Sequence, residues 1–173
     1  MSAIRGNIHE YIGMTLDIEE MLSEFDKAET KGGCTKSSTS PKNILIFNEH
    51  WKKLKHNKVM EFHNMATKHL YATKRARTDT CTVITFLTKK VCVSEKENWF
   101  KLVLLMWYIR GTCTLPLLLS ANGSGILKWW VDASFAVHPN MRGSYGGGLS
   151  LGRGFTIVSS TKQNLNMKIF TAG

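Results

Sequence analysis

One acid in this sequence stands where a carboxylate is expensive. Asp132 lies inside Trp129-Trp130-Val131-Asp132-Ala133-Ser134, among bulky apolar neighbours. Strand interiors disfavour aspartate, and desolvating its charge is costly. Held on a rigid strand, Asp132 could bind a metal ion. Turned to the polar face beside Ser134, it would simply meet solvent, and the pattern leaves both readings open. The basic residues suggest a second chemistry. Lys52, Lys53, Lys55 and Lys58 are followed by Lys74, Arg75 and Arg77, then by Lys89 and Lys90. One such cluster is usually a solvated helix face, but three within forty residues point toward contact with a polyanion. Arg142 and Lys162 join them as candidate phosphate contacts.

Other constellations carry less. Gly147 to Gly152 has the spacing of a phosphate-binding loop, but Arg153-Gly154 follows in place of Lys-Ser/Thr, and the pattern beyond is strand-like. The glycines at 143–154 read better as turn and bulge positions. His50, His56, His63 and His69 are six or seven residues apart and form no H-x-x-x-H pair, so a structural role is expected. Cys34, Cys81, Cys92 and Cys113 lie far apart with no C-x-x-C, which fits reduced thiols in a cytoplasmic or nuclear setting.

The charge supports a polyanion partner. The 173 residues carry 23 Lys plus Arg against 13 Asp plus Glu, a net of +10. Residues 1–30 are acidic at −5, so residues 31–173 carry +15. Such an excess suits nucleic acid better than a small-molecule substrate. The longest apolar run, Trp99 to Ile109, is broken by Lys101 and is shorter than the roughly 20 residues of a membrane helix. The N-terminus lacks the pattern of a signal peptide, and no membrane partner is expected.

The elements that would hold these residues follow from periodicity. Ile12, Met14, Leu16 and Ile18 alternate, which predicts a strand within Asn7–Ile18, with a short acidic helix over about Asp17–Asp26. Residues 30–42, rich in Ser, Thr, Gly and Lys, read as a loop. From Asn57, Val59, Phe62, His63, Ala66 and Leu70 form one helical stripe. A second helix over Asp79–Lys90 should turn Val83, Ile84 and Leu87 inward. A third opens on the capping box Ser94-x-x-Glu97, presents Trp99, Leu102, Val103 and Met106, and ends at a Gly111 cap. Beyond Gly111 the period changes to two, predicting a three-stranded antiparallel meander with one face short of cover.

The meander carries a resemblance. The stretch WWVDASFAVHPNMRGSYGGGLSLGRGFTIVSSTKQ resembles the start of the RNase H domain in copia-type retrotransposon polyproteins. Upstream, HLYATKRARTDTCTVITFL and NWFKLVLLMWYIRGT resemble two blocks of the same family in family order, and HEYIGMTLDI resembles the strand after the polymerase catalytic turn. The resemblance implies an α+β chain. A palm-end strand and short helix would span 1–29, a linker 30–56, thumb-like helices 57–120 and an incomplete RNase H-like meander 121–173. It also implies an RNA–DNA hybrid as partner, Mg²⁺ as cofactor, and Asp132 as the first metal-binding catalytic acid.

The departures from the family are as informative. No Asp-Asp pair occurs anywhere in the chain, and Ala172 stands where the family has its second RNase H glutamate. Two Mg²⁺ ions need several acids, and one carboxylate cannot organise them. Arg77-Thr78-Asp79 replaces the family's Arg-Pro-Asp. The expectation is therefore a truncated reverse transcriptase/RNase H fragment, inactive alone and without stably bound Mg²⁺. The alternative is a non-catalytic, sequence-nonspecific nucleic-acid-binding module. A third is an unstable chain that exposes Trp129 or Trp130 and aggregates through the meander.

Overall fold

A computed structural model of the chain describes residues 9–28, 52–91, 95–134 and 142–164. The architecture is mixed α+β, with four α-helices and two small three-stranded sheets among the described residues. The chain divides into two compact units, one over Glu10–Leu118 and one over Leu119–Gly173 together with Met1–His9. No helix among the described residues is long and apolar enough to cross a membrane.

In the helical unit, strand β1 (His9–Ile12) stops early and helix α1 (Thr15–Ala28) begins. The expected strand through Ile18 is thus a helix from Thr15 onward. Ile18, Met21, Leu22 and Phe25 recur at i, i+3, i+4 and i+7 and are all buried, while Leu16 is 79% exposed. The helical stripe buries four side chains on one face, and that gain overrides the short alternation.

Helix α2 (His56–Arg75) follows the predicted span but not the predicted face. Its buried residues are Phe62, Met65, Ala66, His69, Ala72 and Thr73, whereas His63 is exposed. The same stripe spacing is anchored at Phe62 instead of Val59. A 3₁₀ turn at Thr78–Thr80 leads into α3 (Cys81–Thr88), which buries Val83, Ile84 and Leu87 as its pattern predicts.

Helix α4 (Lys96–Gly111) buries Trp99, Leu102, Leu105, Met106 and Ile109, with Val103 half-buried. Its ends differ from expectation. Ser94 lies outside the described residues, extended Glu95 is the N-cap, and the Glu97 carboxylate accepts from Lys101 Nζ at 2.9 Å. Gly111 is the last helical residue, and Thr112 caps the end by donating its N–H to the Ile109 carbonyl at 3.1 Å. Phe25 and Trp99 stack across the core with ring centroids 6.2 Å apart.

Strand β2 (Leu117–Ala121) begins at the end of the helical unit and continues into the second, which holds β3 (Lys128–Ser134), β4 (Ser144–Ser150), β5 (Gly152–Arg153) and β6 (Ile157–Lys162). Ser120 lies opposite Arg153 and Ala121 opposite Gly152 in one antiparallel pair. The other sheet is an antiparallel meander in the order β3-β4-β6. Gly146–Gly148 pair in unbroken register inside β4, so these glycines are strand interior and neither turn nor bulge. Gly148 makes room for the Phe155 ring, which would lie 2.5 Å from any Cβ there. The left-handed glycines are Gly123, Gly125 and Gly154, the last of them a turn position within the 143–154 run as expected. Trp129, Trp130 and Val131 are exposed on the two faces of β3. Phe135 and the loop 30–42 lie outside the described residues.

Candidate nucleic-acid interface

Asp132 belongs to the meander. It lies opposite Gly146, which in turn lies opposite Ser160, so no second acid shares its row. Its Oδ1 accepts the Ala133 N–H at 2.8 Å and the residue is exposed. Among the described residues no group of three or more His, Cys, Asp and Glu side chains is placed to hold a metal ion. The described residues around Asp132 do not assemble a two-Mg²⁺ centre, and the residue is exposed to solvent. Ala172 lies outside the described residues.

The cationic candidates separate into different roles. Lys74 and Arg75 end α2 on its exposed side. The Arg75 guanidinium carbon sits 3.8 Å from the centroid of the Tyr71 ring, and Tyr71 is itself 52% exposed. The i, i+4 spacing brings this pair together on one helix face. Lys89 is exposed and Lys90 half-buried just beyond α3. Arg142 and Lys162 belong to the other unit, where both are half-buried.

Arg77 is not an interface residue. It is 1% exposed. Its Nε donates to Asp79 Oδ1 at 3.1 Å and its Nη2 to Asp79 Oδ2 at 2.8 Å. Nη1 donates to the Thr112 carbonyl at 3.0 Å and Nη2 to Thr112 Oγ1 at 2.8 Å. The Tyr108 hydroxyl also donates to Asp79 Oδ2 at 2.8 Å. With the fork satisfied on both sides, Arg77 joins the turn after α2 to the end of α4 and has no donor set aimed at a phosphate.

The same cluster sets its members' protonation. Burial pushes the Asp79 carboxyl up, but the Arg77 hydrogen bond and charge, with Tyr108, outweigh it and hold the carboxyl below its usual value. Burial and the Asp79 hydrogen bond raise the Tyr108 phenol.

Deeper in, His69 Nε2 lies 2.9 Å from Thr80 Oγ1, and Thr73 Oγ1 lies 2.7 Å from the same oxygen. Thr80 Oγ1 donates its one proton to the Arg77 carbonyl at 2.8 Å. It must then accept from both Thr73 and His69, which makes His69 the Nε2–H tautomer and leaves Nδ1 without a partner. Burial first, and the Arg77 charge second, lower the His69 pKa to about 3, with Asp79 opposing. His69 is a neutral core residue, the structural role its spacing suggested.

Two features lay beyond the sequence patterns. The R-x-D spacing could have pointed to the Arg77–Asp79 fork, because two residues of turn let the guanidinium meet the carboxylate. Nothing in the spacing joined either residue to Thr112, which is 35 positions from Arg77. The arrangement offers exposed cation and aromatic surface at the end of α2 and no assembled set of acids or nucleophile–base pair among the described residues. No protein-family model, curated protein or solved structure matches this chain.

Proposed function

We propose that these residues are a copia-type reverse transcriptase/RNase H segment that binds nucleic acid without sequence preference and carries out neither DNA synthesis nor hybrid cleavage. The family part of the reading rests on the ordered sequence blocks from His69 to Gln163. The observation that carries the binding part is the Arg75 guanidinium stacked on exposed Tyr71, with Lys74 beside it. A planar cation and an aromatic face at one helix end suit a phosphate backbone with an adjoining unstacked base. The net of +15 over residues 31–173 supports the same partner by raising its local concentration.

The absence of catalysis is proposed from the residues themselves. The chain has no Asp-Asp pair, and Ala172 replaces the second RNase H acid. The test is the salt dependence of binding to a fluorescent RNA–DNA hybrid. Affinity should fall steeply with salt, and Lys74→Glu with Arg75→Glu should lower the log–log slope by about 2. Salt-independent binding, or none at low salt, would overturn the binding reading. Mg²⁺-dependent cleavage of the hybrid, lost in Asp132→Asn, would overturn the non-catalytic one.

A further inference from the structure

The meander's two outer strands are built differently. β6 carries Ser159, Ser160, Thr161 and Lys162, a polar edge. β3 carries Lys128-Trp129-Trp130-Val131-Asp132, and its other edge pairs with no strand among the described residues. Edge strands are normally blunted by proline, a bulge, shortness or charges that repel a second copy. β3 has no proline or bulge, all seven of its residues pair with β4 in unbroken register, and its two charges are of opposite sign. Trp129, Trp130 and Val131 remain 63%, 58% and 77% exposed.

The order of side chains on this edge is self-complementary. Lys128 stands two residues before Trp130 and Asp132 two residues after it. Two antiparallel copies centred on Trp130 set each Lys128 opposite Asp132 of the second copy. Trp129 then faces Val131 of the second copy, and the two Trp130 side chains face each other. Opposite charges, aromatic with β-branched, and aromatic with aromatic are the cross-strand pairs that stabilise a ladder. Shifting the centre to Val131 sets Trp130 against Asp132 and leaves Lys128 opposite Ser134, so the charges select one register.

Because like-numbered faces align about the two-fold axis, Trp129, Val131, Tyr145, Leu149 and Ile157 of both copies would lie on one continuous sheet face. We propose that this chain forms a two-fold dimer by antiparallel pairing of β3 with β3 of a second copy, in the register that joins Lys128 to Asp132. The pairing closes on itself about the two-fold axis, since it uses up the β3 edge of each copy and the opposite edge of that sheet is β6, polar from Ser159 to Lys162. This dimer does not depend on the nucleic-acid reading, and its test is the oligomeric state alone.

Sedimentation equilibrium of the full chain across a concentration series should show monomer and dimer and nothing larger. Asp132→Lys and Lys128→Asp each place like charges opposite one another twice, and each should weaken the dimer roughly tenfold or more. The double variant Lys128→Asp with Asp132→Lys restores both pairs and should recover the dimer. Mixing the two single variants should also produce a heterodimer, because the two charge changes complement each other. A monomer at all concentrations overturns the proposal. So do single variants that dimerise like the parent, a double variant that stays monomeric, or assemblies that grow beyond two copies.

Discussion

Arg77 and Asp79 meet fork to fork, Nε to Oδ1 at 3.1 Å and Nη2 to Oδ2 at 2.8 Å, with the guanidinium buried and the carboxylate about a third exposed. Nη1 and Nη2 also donate to Thr112, so one side chain ties the turn after α2 to the end of α4. A cation from the basic run thereby becomes part of the core.

Arg77→Ala should therefore act on stability. It leaves Asp79 and the Thr112 carbonyl short of their donors, and should cost about 3 kcal/mol in urea unfolding, the low end for a broken buried pair. The partial exposure of Asp79 keeps the figure from rising further. Arg77→Lys should not rescue it, since an ammonium cannot reach both carboxylate oxygens and Thr112. Nucleic-acid binding by the folded fraction should keep its salt slope, and a slope lowered as much as by Arg75→Glu would contradict this placement.

Acid should destabilise the fold through His69. Its pKa in the folded chain is about 3, below the ordinary 6.5, so the unfolded state binds the extra proton. Stability is then fully present above pH 6.5 and falls as pH drops toward the folded pKa. The slope should approach 1.4 kcal/mol per pH unit for this one group, to order of magnitude. Asp79, with a depressed carboxyl, adds a loss of the same sign at lower pH. His69→Gln keeps an N–H for Thr80 and removes the titration. Urea midpoints from pH 6.5 to 4.5 should fall less steeply in that variant, and identical slopes would show that His69 is not the group responsible.

Tyr71 separates stacking from charge at the end of α2. Tyr71→Ala removes the platform under Arg75 but no cation, and the residue is exposed, so folding stability should change by less than about 0.5 kcal/mol. Affinity for single-stranded oligonucleotides should drop about fivefold or more, with Tyr71→Trp restoring it. Fluorescence anisotropy at fixed salt reads this directly, and an unchanged affinity would leave Arg75 acting by charge alone.

How much of this was legible depended on how locally each feature is determined. Val83, Ile84 and Leu87 were placed correctly because a short apolar helix can bury only one side. On α2 the spacing was right but the anchor was not. Counting hydrophobicity favoured Val59 and Leu70, while the fold buries His69 and Thr73 against Thr80, a polar contact that no apolar count can find. On α1 two periods overlapped at Ile18, and packing against Trp99 through Phe25 decided for the helix. Asp132 was legible as an anomaly. Its neighbours across the sheet, Gly146 and then Ser160, come from pairing register, which the sequence of one strand does not encode. Arg77 falls among the phosphate contacts when charge clusters are read along the chain, whereas its partner Thr112 is brought to it by tertiary packing.

The glycines of the meander provide a paired test of why they are there. A Cβ at Gly143 would lie 2.1 Å from the Ser134 carbonyl oxygen and 2.6 Å from Gln163 Oε1, and the first of these is backbone that cannot swing away. Gly143 also accepts the Gln163 N–H at 2.9 Å, so displacing it loosens both neighbours of β4 together. Gly143→Ala should cost about 2 kcal/mol, in the range of overpacking. At Gly146 the nearest atom to an added Cβ is the Ser159 carbonyl oxygen at 3.7 Å, an ordinary contact. Strand glycine is conformationally costly in itself, so Gly146→Ala should be neutral or stabilise by a few tenths of a kcal/mol. Amide hydrogen exchange over Ser144–Ser150 and Ile157–Lys162 should be faster in Gly143→Ala and unchanged or slower in Gly146→Ala. Equal protection in the two variants would mean that the close approach at Ser134 does not hold the meander's end together.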